Sequence, residues 1–126
     1  MTTPVGYLAS ISIDCPNPDA LVRFYCDLLG LEEFFATPDR GVIALSGAGP
    51  MVTLMRVDAY EPPSWPGGPQ HKQMHLDLAV DDLDTAVAAA VAIGAVESEI
   101  QAAPGQWRVL LDPVGHPFCL STVRPD

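Results

Sequence analysis

This sequence predicts an α+β fold built from two copies of one βαβββ module, and three observations predict it. Strand patterns of period two open both halves, at Leu8–Cys15 and Met74–Val80. Each strand leads into a capped apolar helix that stops at a glycine, Gly30 in the first half and Gly94 in the second. The registers also agree. Ile11, Ile13 and Cys15 fall on Leu76, Leu78 and Val80 at an offset of 65, and Val52 and Leu54 fall on Phe118 and Leu120 at an offset of 66. A lone βαβββ unit leaves one face of its sheet bare. Two of them therefore predict a curved mixed sheet around a central cavity.

The elements follow in order. In the first strand Ile11, Ile13 and Cys15 alternate with Ser10, Ser12 and Asp14. Asn17, Pro18 and Asp19 offer an N-cap, an N1 proline and an acidic first turn. Leu21, Val22, Phe24, Tyr25, Leu28 and Leu29 then form a helical stripe. Extended runs follow at Leu31–Thr37, Val42–Ser46 and Met51–Val57, separated by turn sequences at 38–41 and 47–50. The second half sets Leu76, Leu78 and Val80 against His75, Asp77 and Ala79, caps a helix over Leu83–Ile93 with Asp81 and Asp82, and continues with strands at Ala95–Glu99, Trp107–Leu111 and Phe118–Thr122. The reading is one domain over 1–126: module 5–57, module 73–123, and a linker 58–72 rich in Pro and Gly.

Composition narrows the function classes. Six Lys+Arg against 16 Asp+Glu give a net charge of −10, which argues against a nucleic-acid or anionic-membrane partner, because such a partner needs a basic stripe to receive it. The charge permits a cationic small molecule without requiring one. No run reaches the ~18 apolar residues of a membrane span, and no signal peptide is expected at the N-terminus. Cys15, Cys26 and Cys119 are odd in number and form no CxxC pair, so reduced thiols and a cytoplasmic location are expected.

With His75 opening the strand MHLDLAV, and DPVGHPF at 112–118 leading into the last strand, the chain resembles the vicinal oxygen chelate superfamily, the glyoxalase, bleomycin-resistance and extradiol dioxygenase group. The wording HLDLAVDDLDTA and DPVGHPFCL is most similar to short glyoxalase-like domain proteins, whose membership fixes no reaction. The resemblance implies a glyoxalase/bleomycin resistance fold, a homodimer, and, in metal-dependent members, a divalent ion held by His, Glu or Gln from the first and last strands of each module. Carried onto this chain, those positions are Ser10, Thr53, His75 and Cys119. Only His75 is the usual ligand type. Ser10 stands where the family commonly has His, and Cys119 where it commonly has Glu.

Hydroxyls are poor ligands, so a resident metal is not expected. His75 and Cys119 suit zinc, and Asp14 and Asp77 can join them. His75 reads as a pocket residue, with a general base or a structural histidine as alternatives. Cys119 reads as a packing residue, with a nucleophile as the alternative. His116 is expected to be structural, and His71 lies in an extended context that does not pair it with His75. Tyr60 and Trp65 in the linker, Trp107 at the start of a strand and Phe35 in the second strand offer flat area to a planar ligand, or cover a core or dimer interface.

Two functions follow. The first is a metal-free protein sequestering a hydrophobic or planar small molecule, such as an antibiotic, on Ser10, Phe35, Thr53, Tyr60, Trp65, His75, Trp107 and Cys119. The second is a lyase or isomerase of glyoxalase type that uses His75 and a divalent metal such as zinc, manganese or nickel.

Overall fold

Alternation in Ser-Ile-Ser-Ile-Asp-Cys becomes a strand with one wet face and one dry face. In the computed structural model, which describes residues 4, 6–69 and 74–123, β1 (Ser10–Cys15) buries Ile13 and Cys15 and exposes Ser12 and Asp14. Helix α1 (Asp19–Leu29) buries Leu21, Phe24 and Tyr25 and packs on β2 (Glu32–Ala36), β3 (Val42–Ser46) and β4 (Met51–Arg56). Burying each of those three side chains contributes about 2 kcal/mol. The sheet runs β1-β4-β3-β2, with β1 and β4 parallel and the other neighbours antiparallel.

The second half repeats this arrangement. β5 (Leu76–Ala79), α2 (Leu83–Ala92), β6 (Val96–Glu97), β7 (Trp107–Leu111) and β8 (Pro117–Ser121) form a sheet ordered β5-β8-β7-β6, again with its first and last strands parallel. The result is two four-stranded mixed sheets, each with one helix. The chain divides into two units between Tyr60 and Glu61. The sequence offsets reappear as strand pairing: Ile11 opposite Val52 corresponds to Leu76 opposite Phe118, and Ser12 opposite Thr53 corresponds to Asp77 opposite Cys119.

Several boundaries differ from expectation. Asn17 makes no side-chain cap on α1. Pro18 is already helical (φ −55°, ψ −41°), and the entry is closed by Ala20 and Leu21 donating to the Asn17 and Pro18 carbonyls. The caps on Gly30 (φ +67°) and on Asp82, whose carboxylate accepts from the Thr85 N–H at 2.9 Å, form as expected. The Thr85 hydrogen bonds also hold the Asp82 carboxyl below its ordinary value. Strand β6 shortens to two residues: the Ser98 N–H still donates to the Val109 carbonyl at 3.0 Å, but the Val109 N–H donates to the Gln101 side chain at 2.9 Å and the Ser98 hydroxyl accepts from the Ile100 N–H at 3.1 Å. The run from Leu31 keeps only Glu32–Ala36 as β2, which is bulged between Glu33 and Phe35. His75 sits just ahead of β5 rather than inside it, and His71 lies outside the described residues.

The turn between β7 and β8 places the site. The Asp112 side chain is buried, and its Oδ1 accepts from the backbone N–H groups of Val114 and His116, each at 2.9 Å. The Asp112 N–H donates to the His116 carbonyl at 2.8 Å, which closes the hairpin and sets the register of β8. Gly115 takes φ +95°, and a Cβ there would stand 2.6 Å from the Cβ of Pro62. Backbone contact between this turn and the Pro-rich segment therefore requires glycine.

Candidate functional site

In each unit one sheet face packs on its helix, and the other carries the residues singled out by the resemblance. On the second unit, Asp77, Cys119 and Val109 are register partners across β5, β8 and β7, so their side chains share a face. His75, two residues before Asp77, joins them. Ligand-type atoms of His75, Asp77 and Cys119 all lie within 4.8 Å of one another. His75 Nε2 meets Asp77 Oδ1 at 3.1 Å. Cys119 is 4% exposed, while the His75 and Asp77 side chains are 22% and 69% exposed. The thiol thus forms the floor of the cluster and the carboxylate its open edge.

Trp65 supplies a wall. Its ring stacks on the His75 imidazole, with centroids 5.2 Å apart and planes inclined by 24°. Trp65, expected from the linker to offer flat area to a ligand, stands beside His75. Trp107, at the start of β7, shares the Cys119 face by alternation and is partly exposed. Trp65 also borders a groove of about 550 Å³ running between residues 63–68 and the strip from Val96 to Ile100. Pro63, Pro66, Val96, Ile100 and Leu111 in its walls were not singled out from sequence. Their only signal was proline density beside an exposed edge strand.

The first unit carries a different chemistry at the matching places. Ser10, Ser12 and Thr53 correspond to His75, Asp77 and Cys119, and the Ser10 and Thr53 hydroxyls hydrogen-bond each other at 2.6 Å. Along the same row, Thr53 pairs with Ala44 and Ala44 with Phe35, which places exposed Phe35 on the Thr53 face. Tyr60 is half-buried at the end of this unit. Asp14 lies exposed farther along β1.

The donor types decide what a metal would find. Two hydroxyls that satisfy each other do not fit the family's carboxylate-and-imidazole set, so the first unit supplies no ligands of that kind. The second unit's imidazole, carboxylate and thiol do fit a borderline ion such as zinc, whose tetrahedral donors stand about 3.5 Å apart. Asp77 reaches this cluster under strict alternation, without any slip of register.

Duplicated βαβββ units, each a four-stranded mixed sheet with one helix, have the architecture of the glyoxalase/bleomycin resistance class of protein. The chain matches the glyoxalase-like domain over residues 10–121 and belongs to that family. No curated protein sequence matches it. Among solved structures it is similar to a glyoxalase/bleomycin resistance protein/dioxygenase family enzyme from Burkholderia phytofirmans PsJN, at 22% identity and TM-score 0.67 over 91% of this chain and 97% of that one. It is similar to a fosfomycin resistance protein from Listeria monocytogenes, complexed with Mn(II) and a dihydroxypropylphosphonic acid, at 13% identity and TM-score 0.69 over 97% and 93%. A third is a lactoylglutathione lyase from Agrobacterium tumefaciens, at 19% identity and TM-score 0.63 over 94% and 95%. At these identities the likeness is one of fold.

Proposed function

We propose that this protein binds a planar or hydrophobic small molecule on the sheet face of its second unit, without needing a metal. The observation that carries the reading is the Trp65–His75 stack set directly beside the His75–Asp77 hydrogen bond. An aromatic plane next to a few convergent polar groups is the usual make-up of a small-molecule site. Trp65 offers area, His75 and Asp77 offer directional hydrogen bonds, and Cys119 closes the floor. Sequestration of an antibiotic is the biological form of this reading, in keeping with the resistance protein among its structural neighbours. The test is a thermal-shift screen of planar antibiotics and aromatic metabolites in EDTA, against wild type and W65A. Ligands that stabilise wild type and not W65A support the reading, and stabilisation indifferent to Trp65 contradicts it.

A second reading is favoured by one specific observation, the proximity of three ligand-type side chains. His75, Asp77 and Cys119 would hold a divalent ion, which when bound supplies a Lewis acid for lyase or isomerase chemistry. Trp65, stacked on His75, would then flank the substrate and shield the site from water. Elemental analysis of untagged protein, before and after incubation with zinc, manganese and nickel, separates the two readings. Stoichiometric metal lost in H75A establishes the second.

A further inference from the structure

The groove beside Trp65 and the cluster behind it have a common electrostatic character. Pro63, Trp65, Pro66, Val96, Ile100 and Leu111 give the groove apolar walls. Its other lining residues include Glu97 and Glu99, and no Lys or Arg lines it among the described residues. Glu97 is engaged by Arg108, which holds it at 3.1 Å while also donating to Asp84 at 2.7 Å. That cation is committed to the α2 side of the sheet, because Arg108 and Leu120 are register partners on the face opposite Cys119. Glu99 has no hydrogen-bond or ion-pair partner among the described residues. Trp65 also stacks on His75, and the exposed Asp77 carboxylate has the His75 imidazole as its one hydrogen-bond partner among the described residues. One aromatic ring, Trp65, thus borders both the groove, with Glu99 in its lining, and the His75–Asp77 pair. An anionic ligand would meet the Glu99 and Asp77 carboxylates there, neither of which is paired with a Lys or Arg among the described residues.

We infer that the ligand is an amphiphilic organic cation, an amine carrying an aromatic or alkyl body, with the body in the groove against Trp65 and the ammonium at Asp77. This rests on the reading of the second unit's face as a binding site and names the ligand class for it. It also sets the chain apart from the structural neighbour complexed with a phosphonic acid, a ligand of the opposite charge. Gly67 keeps the groove narrow at one point. A Cβ there would stand 2.7 Å from Ile100 Cδ1, so in G67A the exposed Ile100 side chain must turn aside.

Three probes with one body and different charge test the inference: phenylbutylamine, phenylbutanol and phenylbutyrate, titrated calorimetrically into the full chain in EDTA at low salt. The amine is expected to bind about fivefold more tightly than the alcohol and about twentyfold more tightly than the acid, as one partly exposed ion pair gained and one repulsion removed. D77N brings the amine down to the affinity of the alcohol. W65A weakens all three probes. An acid that binds as tightly as the amine overturns the inference, and so does an amine preference that survives in D77N. If the alcohol binds in a Trp65-dependent way and the amine gains nothing, the ligand class is wrong while the binding face stands. If none of the three binds, both fall.

Discussion

Removing the Asp112 side chain tests how the site is placed. Asp112 Oδ1 accepts two backbone N–H groups at 2.9 Å inside a turn where the residue is 2% exposed. D112A strands both donors. Hydrogen bonds to a carboxylate are worth about 1.5–3 kcal/mol each, and partial solvation of the opened turn reduces the sum, so the expected loss is about 3 kcal/mol. D112N keeps the accepting oxygen in place and is expected to lose only about 1 kcal/mol. With a urea m-value near 1.5 kcal/mol per molar, D112A lowers the midpoint by about 2 M and D112N by about 0.7 M. The two tryptophans, Trp65 and Trp107, both belong to the second unit, so their emission reports its unfolding selectively. The turn also sets which way Cys119 faces, because a one-residue slip of β8 turns every side chain over. A D112A midpoint within about 0.5 M of wild type, or equal losses in both variants, refutes this reasoning.

Three further outcomes are expected. G115A combines a side chain at φ +95° with a Cβ 2.6 Å from Pro62, so the urea midpoint of the second unit falls by an amount equivalent to about 2–4 kcal/mol, and Trp65 emission shifts as its segment is displaced. In the first unit, hydrogen bonds from Arg40 hold Asp19 below its ordinary 3.8 and Glu33 below its ordinary 4.5. Groups with depressed folded values stabilise fully above their ordinary values and lose that contribution as pH falls through the depressed ones. R40Q therefore lowers stability at pH 7, where that contribution is fully present, and its gap to wild type closes as pH falls below 4.5 through the depressed values, as acid titrations of unfolding will show. Finally, equilibrium dialysis against zinc separates the two units' chemistries: any uptake falls at least tenfold in H75A or C119S and is unchanged in T53A.

The duplication was legible because it rests on strong local signals. Strict alternation in β1, the glycine stop at Gly30 and the Asp82 cap are all set by a few neighbouring residues, and the offsets of 65 and 66 turned into real strand partners. The cluster was half legible. Alternation alone puts His75 and Asp77 on one face, and the repeat puts Cys119 across from Asp77. What the sequence did not reveal was tertiary placement of irregular backbone. Trp65 lies in a segment with no periodicity, and nothing local says that it stacks on a histidine ten residues later. The groove is hidden for the same reason, since its walls come from a proline-rich loop and the strip after a two-residue strand. The Asn17 cap failed because Pro18 is itself helical, so the turn closes through carbonyl acceptors instead.

The central claim is that the face bearing Trp65, His75, Asp77 and Cys119 binds a small molecule without a metal. Amide-resolved NMR titration of the metal-stripped chain with phenylbutylamine tests it most directly. The account predicts shifts concentrated at residues 63–68, 75–77, 96–100 and 117–121, absent in W65A. Shifts confined to the first unit, or shifts that appear only after zinc is restored, would contradict it.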